Sequence, residues 1–184
     1  ASRGLGDVYK RQIRKFVDEG GGFIGVGEPT AYQHQGRYFQ LSDVMGVDRE
    51  MGFSLSTDKY NTCDPHHFIL EDIDGKIDFG EGTSRIYAQG KHYQILAQDG
   101  EYSQLVVNEY GKGHSVYFAG LPYSPQNCRI LLRAIYYAAG MPEEMKHYYV
   151  TNVDTEVTVF PETKRIAVIN NADAEEKTDL YIKG

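Results

Sequence analysis

The stretch Gly20-Gly-Gly-Phe-Ile-Gly-Val-Gly-Glu-Pro-Thr-Ala-Tyr-Gln-His-Gln-Gly-Arg37 contains a helix end, an apolar strand and a polar loop in direct succession. The leading glycines end the helical pattern that precedes them, because glycine readily takes the left-handed conformation of a helix C-terminus. The apolar run Phe23–Val26 is typical of a parallel strand that is covered on both faces. Since ligands of open α/β sheets bind at loops that leave the carboxyl ends of strands, we expect the functional site in the loop Gly27–Arg37.

Hydrophobic periodicity predicts further elements on both sides of this stretch. Helices are indicated at about residues 13–17, 38–45 and 125–138. Strands are indicated at 83–89, 93–97, 104–110, 114–119, 155–160, 165–170 and 178–182. The turn Gly111-Lys112-Gly113 joins two of these strands into a hairpin, because its glycines permit the positive φ that a tight turn needs.

The helix predicted at 125–138 has recognisable ends and a recognisable apolar face. Ser124 is a favourable N-cap, and Pro125 occupies the first helical position, where its missing N–H costs nothing. Gly140 ends the helix, and Pro142 is expected to prevent it from restarting. The apolar face is expected to consist of Leu131, Ala134, Ile135 and Ala138.

The order of elements divides the chain into two domains. Residues 13–147 mix helices with strands, as in an α/β domain that is incomplete at its N-terminus, whereas 148–184 contain only strands, as at the start of an antiparallel β-domain. Residues 1–12 show no clear apolar period and make a poor element, so we interpret them as a non-native leader. Because two or three strands are not stable alone in water, we interpret the chain as an internal piece of a larger protein.

Composition excludes several classes of partner. The 19 basic and 26 acidic residues give a net charge of −7, which argues against binding to nucleic acid. No apolar run reaches the length of a membrane span, and no secretory signal is present. With two cysteines there is no disulfide framework, so the cytoplasm is the simplest compartment.

The polar loop supplies the candidate binding residues. Glu28, at the end of the apolar strand, has the chemistry to orient a sugar hydroxyl or an arginine of a neighbouring domain; a solvated loop carboxylate is the common alternative. Tyr32, Gln33 and His34 suit carbohydrate recognition, which combines amides, imidazoles and aromatic faces. The same three side chains also suit an ordered loop that packs on another domain.

Two other motifs favour a structural interpretation. Gly25-Val26-Gly27 lacks the third glycine of a dinucleotide fingerprint, so a tight strand exit is favoured over a cofactor site. Cys63, His66 and His67 are three metal-ligating residue types, but no fourth ligand is obvious and a surface loop is favoured. The sequence therefore predicts neither a metal nor an organic cofactor.

Four runs resemble the central domain of the lacto-N-biose/galacto-N-biose phosphorylases. They are Gly20–Thr30, Gln35–Asp48, Asp58–Asn61 and Tyr110–Ser124, the last reading Tyr-Gly-Lys-Gly-His-Ser-Val-Tyr-Phe-Ala-Gly-Leu-Pro-Tyr-Ser. The resemblance extends from about residue 13 to the end of the chain. It implies a class I glutamine amidotransferase-like (flavodoxin-like) α/β domain, followed by the first strands of an all-β C-terminal domain, with a catalytic β/α barrel elsewhere in the full-length protein.

The same resemblance implies a function. In that family, inorganic phosphate attacks the anomeric carbon of a β-galactoside with inversion, giving α-galactose 1-phosphate, and a carboxylic acid protonates the leaving oxygen. That acid lies in the barrel, so no catalytic residue is expected in this chain, which by itself is expected to be inactive. Phosphate is then a co-substrate, the full-length protein is a homo-oligomer, and the acceptor sugar is an N-acetylhexosamine or rhamnose. The segment 28–35 would border the sugar or phosphate site.

Two other functions stay open. A self-contained amidotransferase-like enzyme would need a reactive cysteine at a strand-turn-helix elbow, whereas Cys63 and Cys128 do not occupy such a position. Cys128 falls in the first turns of the third helix, where a small buried or boundary residue is the favoured interpretation. A structural domain that oligomerises a β-galactosidase-type enzyme would share the Gly-Lys-Gly hairpin and the helix after it.

Overall fold

The computed structural model describes residues 3–29, 38–50 and 61–183. Within these ranges the helices are α1 (Arg3–Asp18), α2 (Ser42–Met45), α3 (Pro125–Ala138) and α4 (Pro142–Met145), with 3₁₀ turns at Phe68–Leu70 and Pro161–Thr163. The strands are β1 (Gly22–Val26), β2 (Val47–Arg49), β3 (Ile86–Ala88), β4 (Tyr93–Asp99), β5 (Tyr102–Tyr110), β6 (Gly113–Phe118), β7 (Tyr148–Val150), β8 (Thr155–Phe160), β9 (Arg165–Asn170) and β10 (Leu180–Ile182).

A mixed four-stranded sheet with the order β1-β6-β5-β4 lies at the centre of the first domain. β1 pairs in parallel with β6, from Gly22 opposite His114 to Val26 opposite Phe118, whereas the other neighbours are antiparallel. The predictions of a parallel strand and of the hairpin are thus confirmed. β1 is less covered than predicted, because Val26 keeps 41% of its surface exposed.

Successive side chains of each strand point to opposite faces of the sheet, and each face packs against its own hydrophobic core. Val106 and Tyr117 lie opposite each other and face α1 and α2, while the next pair, Val107 and Val116, faces α3. The first core also contains the buried residues Val17, Phe39, Leu41, Val44, Met45, Val47, Ile86, Ala88, Ile95 and Ala119. The second contains Ile69, Phe79, Leu96, Leu105, Phe118, Ile130 and Ala134. The result is a three-layer arrangement with helices on both faces of one sheet.

The expectation that residues 1–12 make a poor element is wrong for residues 3–12, while their interpretation as a non-native leader stays a prediction. α1 begins at Arg3 and runs without interruption to Asp18. Val17, near its C-terminal end, is fully buried, and Ile13 packs against the same core. The helical period extends further upstream than the apolar residues suggest, because a surface helix needs only a narrow apolar stripe. No helix among the described residues is both long and apolar enough to cross a membrane.

α3 has the predicted start but a different buried face. The Ser124 side chain accepts a hydrogen bond from the Asn127 backbone N–H at 3.0 Å, as expected of an N-cap. Ile130 is fully buried, while Ile135, which was expected in the core, is 48% exposed. The predicted stripe is therefore correct at Ala134 and Ala138 and wrong at Ile135, while Leu131 is partly buried.

A buried arginine explains this shift of the helix face. Arg133 is only 5% exposed, and its guanidinium donates to the Phe68 carbonyl and to the Asp72 carboxylate, both at 2.7 Å. Burial of this cation is tolerated because it is paired and hydrogen-bonded. Pro142 also behaves differently from the prediction, because it occupies the first turn of α4 and so starts a helix.

The region after residue 147 contains short antiparallel strands. β8 and β9 have the predicted bounds and pair from Thr155 with Asn170 to Phe160 with Arg165. β10 begins two residues later than predicted and pairs with β7, a strand that the sequence patterns missed. Arg129 in α3 links the two regions, because its guanidinium donates to the Asn152 carbonyl at 2.7 Å.

Buried polar side chains fasten α2 to the sheet. The Val44 carbonyl accepts hydrogen bonds from Asn108 Nδ2 at 2.9 Å and from Ser115 Oγ at 2.6 Å. Asn108 is 4% exposed and Ser115 is fully buried. These side chains therefore satisfy a carbonyl at the end of a short helix, where no intrahelical donor is available.

We expect Asn108→Ala to lower the free energy of unfolding by about 1–3 kcal/mol, because it removes buried hydrogen bonds at a site without solvent. Urea unfolding of the 184-residue chain measures this change. Glu109→Ala, at the exposed neighbouring position of the same strand, is the control and should change the stability by no more than about 0.5 kcal/mol. Equal effects of the two substitutions would contradict the assigned role of Asn108.

Candidate functional site

The carboxyl end of β1 is anchored to the sheet before the chain enters the polar loop. The Gly27 N–H donates to the Phe118 carbonyl at 2.8 Å, and the Gly27 carbonyl accepts from the Tyr117 hydroxyl at 2.8 Å. Gly27 has a φ of +65°, a conformation that glycine adopts without strain. Burial raises the pKa of Tyr117 far above its usual value, so its hydroxyl stays protonated and remains a donor.

Three side chains meet directly beyond this anchor. Arg49, the last residue of β2, forms an ion pair with Glu28 through its Nη1 atom. The same nitrogen donates to the Tyr38 hydroxyl at 3.0 Å, and the guanidinium lies over the Tyr38 ring at 5.0 Å from its centroid. We call these residues, Glu28, Tyr38 and Arg49, the strand-end cluster. Their side chains are partly exposed, at 47% for Glu28 and 28% for Arg49, so a ligand can reach them.

A buried carboxylate positions two members of the strand-end cluster. Asp48 is 1% exposed, and its Oδ1 atom accepts from the backbone N–H groups of Phe39 and Arg49, both at 2.9 Å. The backbone next to Tyr38 and the backbone of Arg49 are therefore held by one side chain. A site built on such a buried support has a defined geometry before any ligand arrives.

One of the four predicted site residues lies in the described part of the structure. Glu28 lies in the strand-end cluster, whereas Tyr32, Gln33 and His34 lie outside the described residues and stay predictions. Arg49 and Tyr38 were missed as site residues. The arginine that pairs with Glu28 in the structure, Arg49, belongs to this chain. The one sequence signal for Arg49 as a site residue was its position at the end of a short strand. Only the pairing of the strands shows that it lies next to Glu28.

The strand-end cluster has the chemistry of binding. Its carboxylate accepts hydrogen bonds, its guanidinium and phenol donate them, and this combination suits hydroxyl-rich ligands. Among the described residues, the cluster contains no nucleophile beside a base and no second carboxylate aligned with Glu28 across a reacting bond. Neither of the usual constellations for glycosidic bond cleavage is thus formed in the described part of the chain.

The histidine and cysteine motifs have structural roles. His66 Nδ1 lies 2.8 Å from Asp64 Oδ1, while the His67 ring packs edge-on against Tyr137 at 4.7 Å between centroids. No group of three or more His, Cys, Asp or Glu side chains in the described ranges is arranged to hold a metal ion. Burial raises the pKa of Cys63, which opposes formation of a nucleophilic thiolate.

Comparison with protein families matches nearly the whole chain. The family model of the lacto-N-biose phosphorylase central domain matches residues 6–143. The family model of the lacto-N-biose phosphorylase C-terminal domain matches residues 148–184. The first match includes the region of the strand-end cluster.

Curated relatives include a 1,3-beta-galactosyl-N-acetylhexosamine phosphorylase of Lachnoclostridium phytofermentans, 52% identical over 92% of this chain and 23% of the relative. An enzyme of the same name from Bifidobacterium longum is 37% identical over 96% of this chain and 29% of its own length. A D-galactosyl-beta-1->4-L-rhamnose phosphorylase of L. phytofermentans is 30% identical over 94% of this chain and 23% of its own length. The chain thus spans about a quarter of the length of these relatives.

We expect the stability of the chain to fall with pH through His67. Its Nδ1 accepts from the Ile69 N–H at 3.2 Å, and burial lowers the pKa of His67 below the usual 6.5. The unfolded chain therefore binds this proton first, so stability is full above about pH 6.5 and is lost as the pH falls toward the folded-state pKa.

His67→Asn keeps a hydrogen-bond acceptor but does not titrate. Its free energy of unfolding should therefore decrease less than that of the parent chain between pH 7.5 and pH 5. Urea unfolding at a series of pH values measures the difference. Parallel pH profiles of the two proteins would show that His67 does not contribute.

Proposed function

Because this chain belongs to the lacto-N-biose phosphorylase family, we propose that its full-length protein is an inverting glycoside phosphorylase. The reaction is cleavage of a β-galactoside, a galactosyl-N-acetylhexosamine, by inorganic phosphate to give α-galactose 1-phosphate. The names of relatives that are 52% and 37% identical support this substrate class. A relative that is 30% identical is named for a rhamnoside, so the acceptor sugar is the variable part of the substrate.

We infer that this part of the protein does not perform the bond cleavage. The observation that carries this inference is the strand-end cluster, which has binding groups but, among the described residues, no acid–base or nucleophile–base arrangement. In an inverting reaction, one carboxylic acid protonates the leaving oxygen while the incoming group attacks the opposite face of the ring. We assign that acid to a domain outside this chain.

The role proposed for this chain is to form one wall of the sugar site. A wall that excludes water favours attack by bound phosphate over hydrolysis and strengthens the hydrogen bonds inside the site. The strand-end cluster suits this role because Glu28 and Arg49 are partly exposed. Buried side chains hold the backbone at both places, Tyr117 at Gly27 next to Glu28, and Asp48 at Arg49. Tyr32, Gln33 and His34 are proposed to extend the same wall.

We further propose that the first domain is amidotransferase-like, and that the protein is cytoplasmic and a homo-oligomer. The parallel pair β1–β6 and the helices on both faces of the sheet support the fold. The free thiols of Cys63 and Cys128 are consistent with a cytoplasmic location.

One observation favours a role in assembly as the second candidate. A groove of about 810 Å³ lies between α3 and the strands β7 and β8. The exposed apolar side chains of Leu132 and Tyr148 are among those that line it. Exposed apolar surface of this kind marks interaction sites. In this alternative, the chain oligomerises a β-galactosidase-type enzyme, and galactoside cleavage by the full-length protein would not depend on phosphate.

A segment-exchange experiment tests the proposed function. In the L. phytofermentans relative that is 52% identical, the matching segment is replaced by this chain, which aligns over 92% of its length. We expect this chimaeric enzyme to release α-galactose 1-phosphate from galactosyl-N-acetylhexosamine, with a rate that saturates with phosphate. The 184-residue chain alone should release none, because we assign the reacting acid to a domain outside it.

The relative with its segment deleted is the negative control, and the unmodified relative is the positive one. A chimaera that unfolds cooperatively on heating but forms no galactose 1-phosphate would overturn the proposed function. Cleavage that proceeds equally without phosphate would favour the assembly alternative. Formation of galactose 1-phosphate by the chain alone would refute the assignment of the reacting acid to another domain.

A further inference from the structure

The Arg49 guanidinium is held through one of its nitrogen atoms, and the side chain is 28% exposed. Its bonds to Glu28 and to the Tyr38 hydroxyl both use Nη1. Within the part of the chain that the structure describes, its Nη2 and Nε atoms carry no hydrogen bond. A guanidinium has donors in a fixed planar fork, so this edge is oriented to donate to two oxygen atoms of a ligand.

Glu28 complements this fork with an acceptor. Its Oε1 atom bonds Arg49, and the carboxylate is 47% exposed, so its second oxygen is accessible to a ligand. The pair therefore presents donors and an acceptor side by side. A neutral hydroxyl both donates and accepts, which matches such an edge, whereas a phosphate oxygen only accepts at most of its positions.

The charged groups around Arg49 also disfavour binding of an anion. The Arg49 guanidinium is already paired with the Glu28 carboxylate. The second carboxylate, that of Asp48, is buried next to the Arg49 backbone, from whose N–H it accepts a hydrogen bond at 2.9 Å. An incoming phosphate dianion would therefore meet two carboxylates, Glu28 and Asp48, against the single guanidinium of Arg49 within this group of residues.

We propose that Glu28 and Arg49 form a donor–acceptor clamp for two neighbouring hydroxyls of the sugar substrate, and that the clamp does not bind phosphate. This proposal rests on the proposed function and names the ligand of the same site. Arg49 is then a specificity-determining residue that the sequence motifs did not reveal. Tyr38 holds the Arg49 guanidinium in position through its ring and its hydroxyl, both of which contact it.

Kinetics of the chimaeric enzyme test the clamp. Arg49→Lys keeps the positive charge but removes the planar fork, and Glu28→Gln removes the charged acceptor. Each substitution should lower kcat/KM for the disaccharide by about 10- to 100-fold, the effect of losing one or two charge-assisted hydrogen bonds. The KM for phosphate should change less than about 2-fold in both variants.

Deoxy sugars separate a contact from a merely structural effect. Monodeoxy β-galactosides, each lacking one hydroxyl, are compared with the parent sugar in the chimaera and in its Arg49→Lys variant. Removal of a clamped hydroxyl should lower kcat/KM at least about 10-fold in the chimaera. In the Arg49→Lys variant it should lower kcat/KM less than about 3-fold, because the guanidinium that binds this hydroxyl is already lost. If removal of no galactosyl hydroxyl has this effect, the same comparison is made with disaccharides that lack single hydroxyls on the acceptor sugar, which shows whether the clamp binds that ring.

Arg165→Lys, in the exposed β9, is the matched control and should change neither kcat/KM for the disaccharide nor KM for phosphate. A rise in the phosphate KM of Arg49→Lys with an unchanged disaccharide KM would overturn the clamp in favour of an anion site. Deoxy penalties that are equal in the chimaera and the variant would also overturn it. An inactive chimaera overturns the proposed function and the clamp together, whereas an active one with unaffected Arg49→Lys kinetics overturns the clamp alone.

Discussion

The parallel pairing of β1 with β6 is the constraint on which the rest of the structure depends. It joins segments that lie about ninety residues apart and sets their carboxyl ends side by side. The close fit around β6 requires glycine at its first position, because a Cβ atom on Gly113 would lie 2.2 Å from the carbonyl oxygens of Val17 and Gly21. This approach brings the end of α1 and the start of β1 onto the hairpin.

The two cores and the candidate site follow from that pairing. β6 carries Tyr117 into one core and Val116 into the other, so a single strand serves both layers. The Tyr117 hydroxyl also reaches Gly27 and fixes the exit from β1. Stability and site geometry are therefore coupled through one buried phenol. Its burial explains both the raised pKa of Tyr117 and the fixed direction of its hydrogen bond.

The division of labour proposed for this family member has a physical basis. A binding wall needs side chains that are partly exposed yet held from below, and the support of Arg49 by Asp48 provides this. Chemistry at the anomeric carbon needs a carboxylic acid at a defined distance from the incoming group. These requirements can be met by different domains, because binding groups act on the ligand at a distance from the reacting bond.

Short-range patterns determined much of the local structure. The sequence by itself predicted the hairpin, the Ser124 cap of α3, the bounds of β8 and β9, and Glu28 as a residue at a strand end. Turn glycines, helix caps and alternating apolar residues act within a few positions of the chain, so they can be recognised without the fold. The resemblance to a phosphorylase family was recognised from the same kind of local runs.

Only the tertiary structure decided which side chains meet. It buried Ile130 and exposed Ile135, because the pairing of Arg133 with Asp72 turns the side of α3 that carries Ile130 and Arg133 towards the core. It brought Arg49 to Glu28 across 21 positions of the chain. Such contacts depend on the register between remote segments, which no local pattern encodes, and that is why the sequence indicated the acceptor of the candidate site but not its donor.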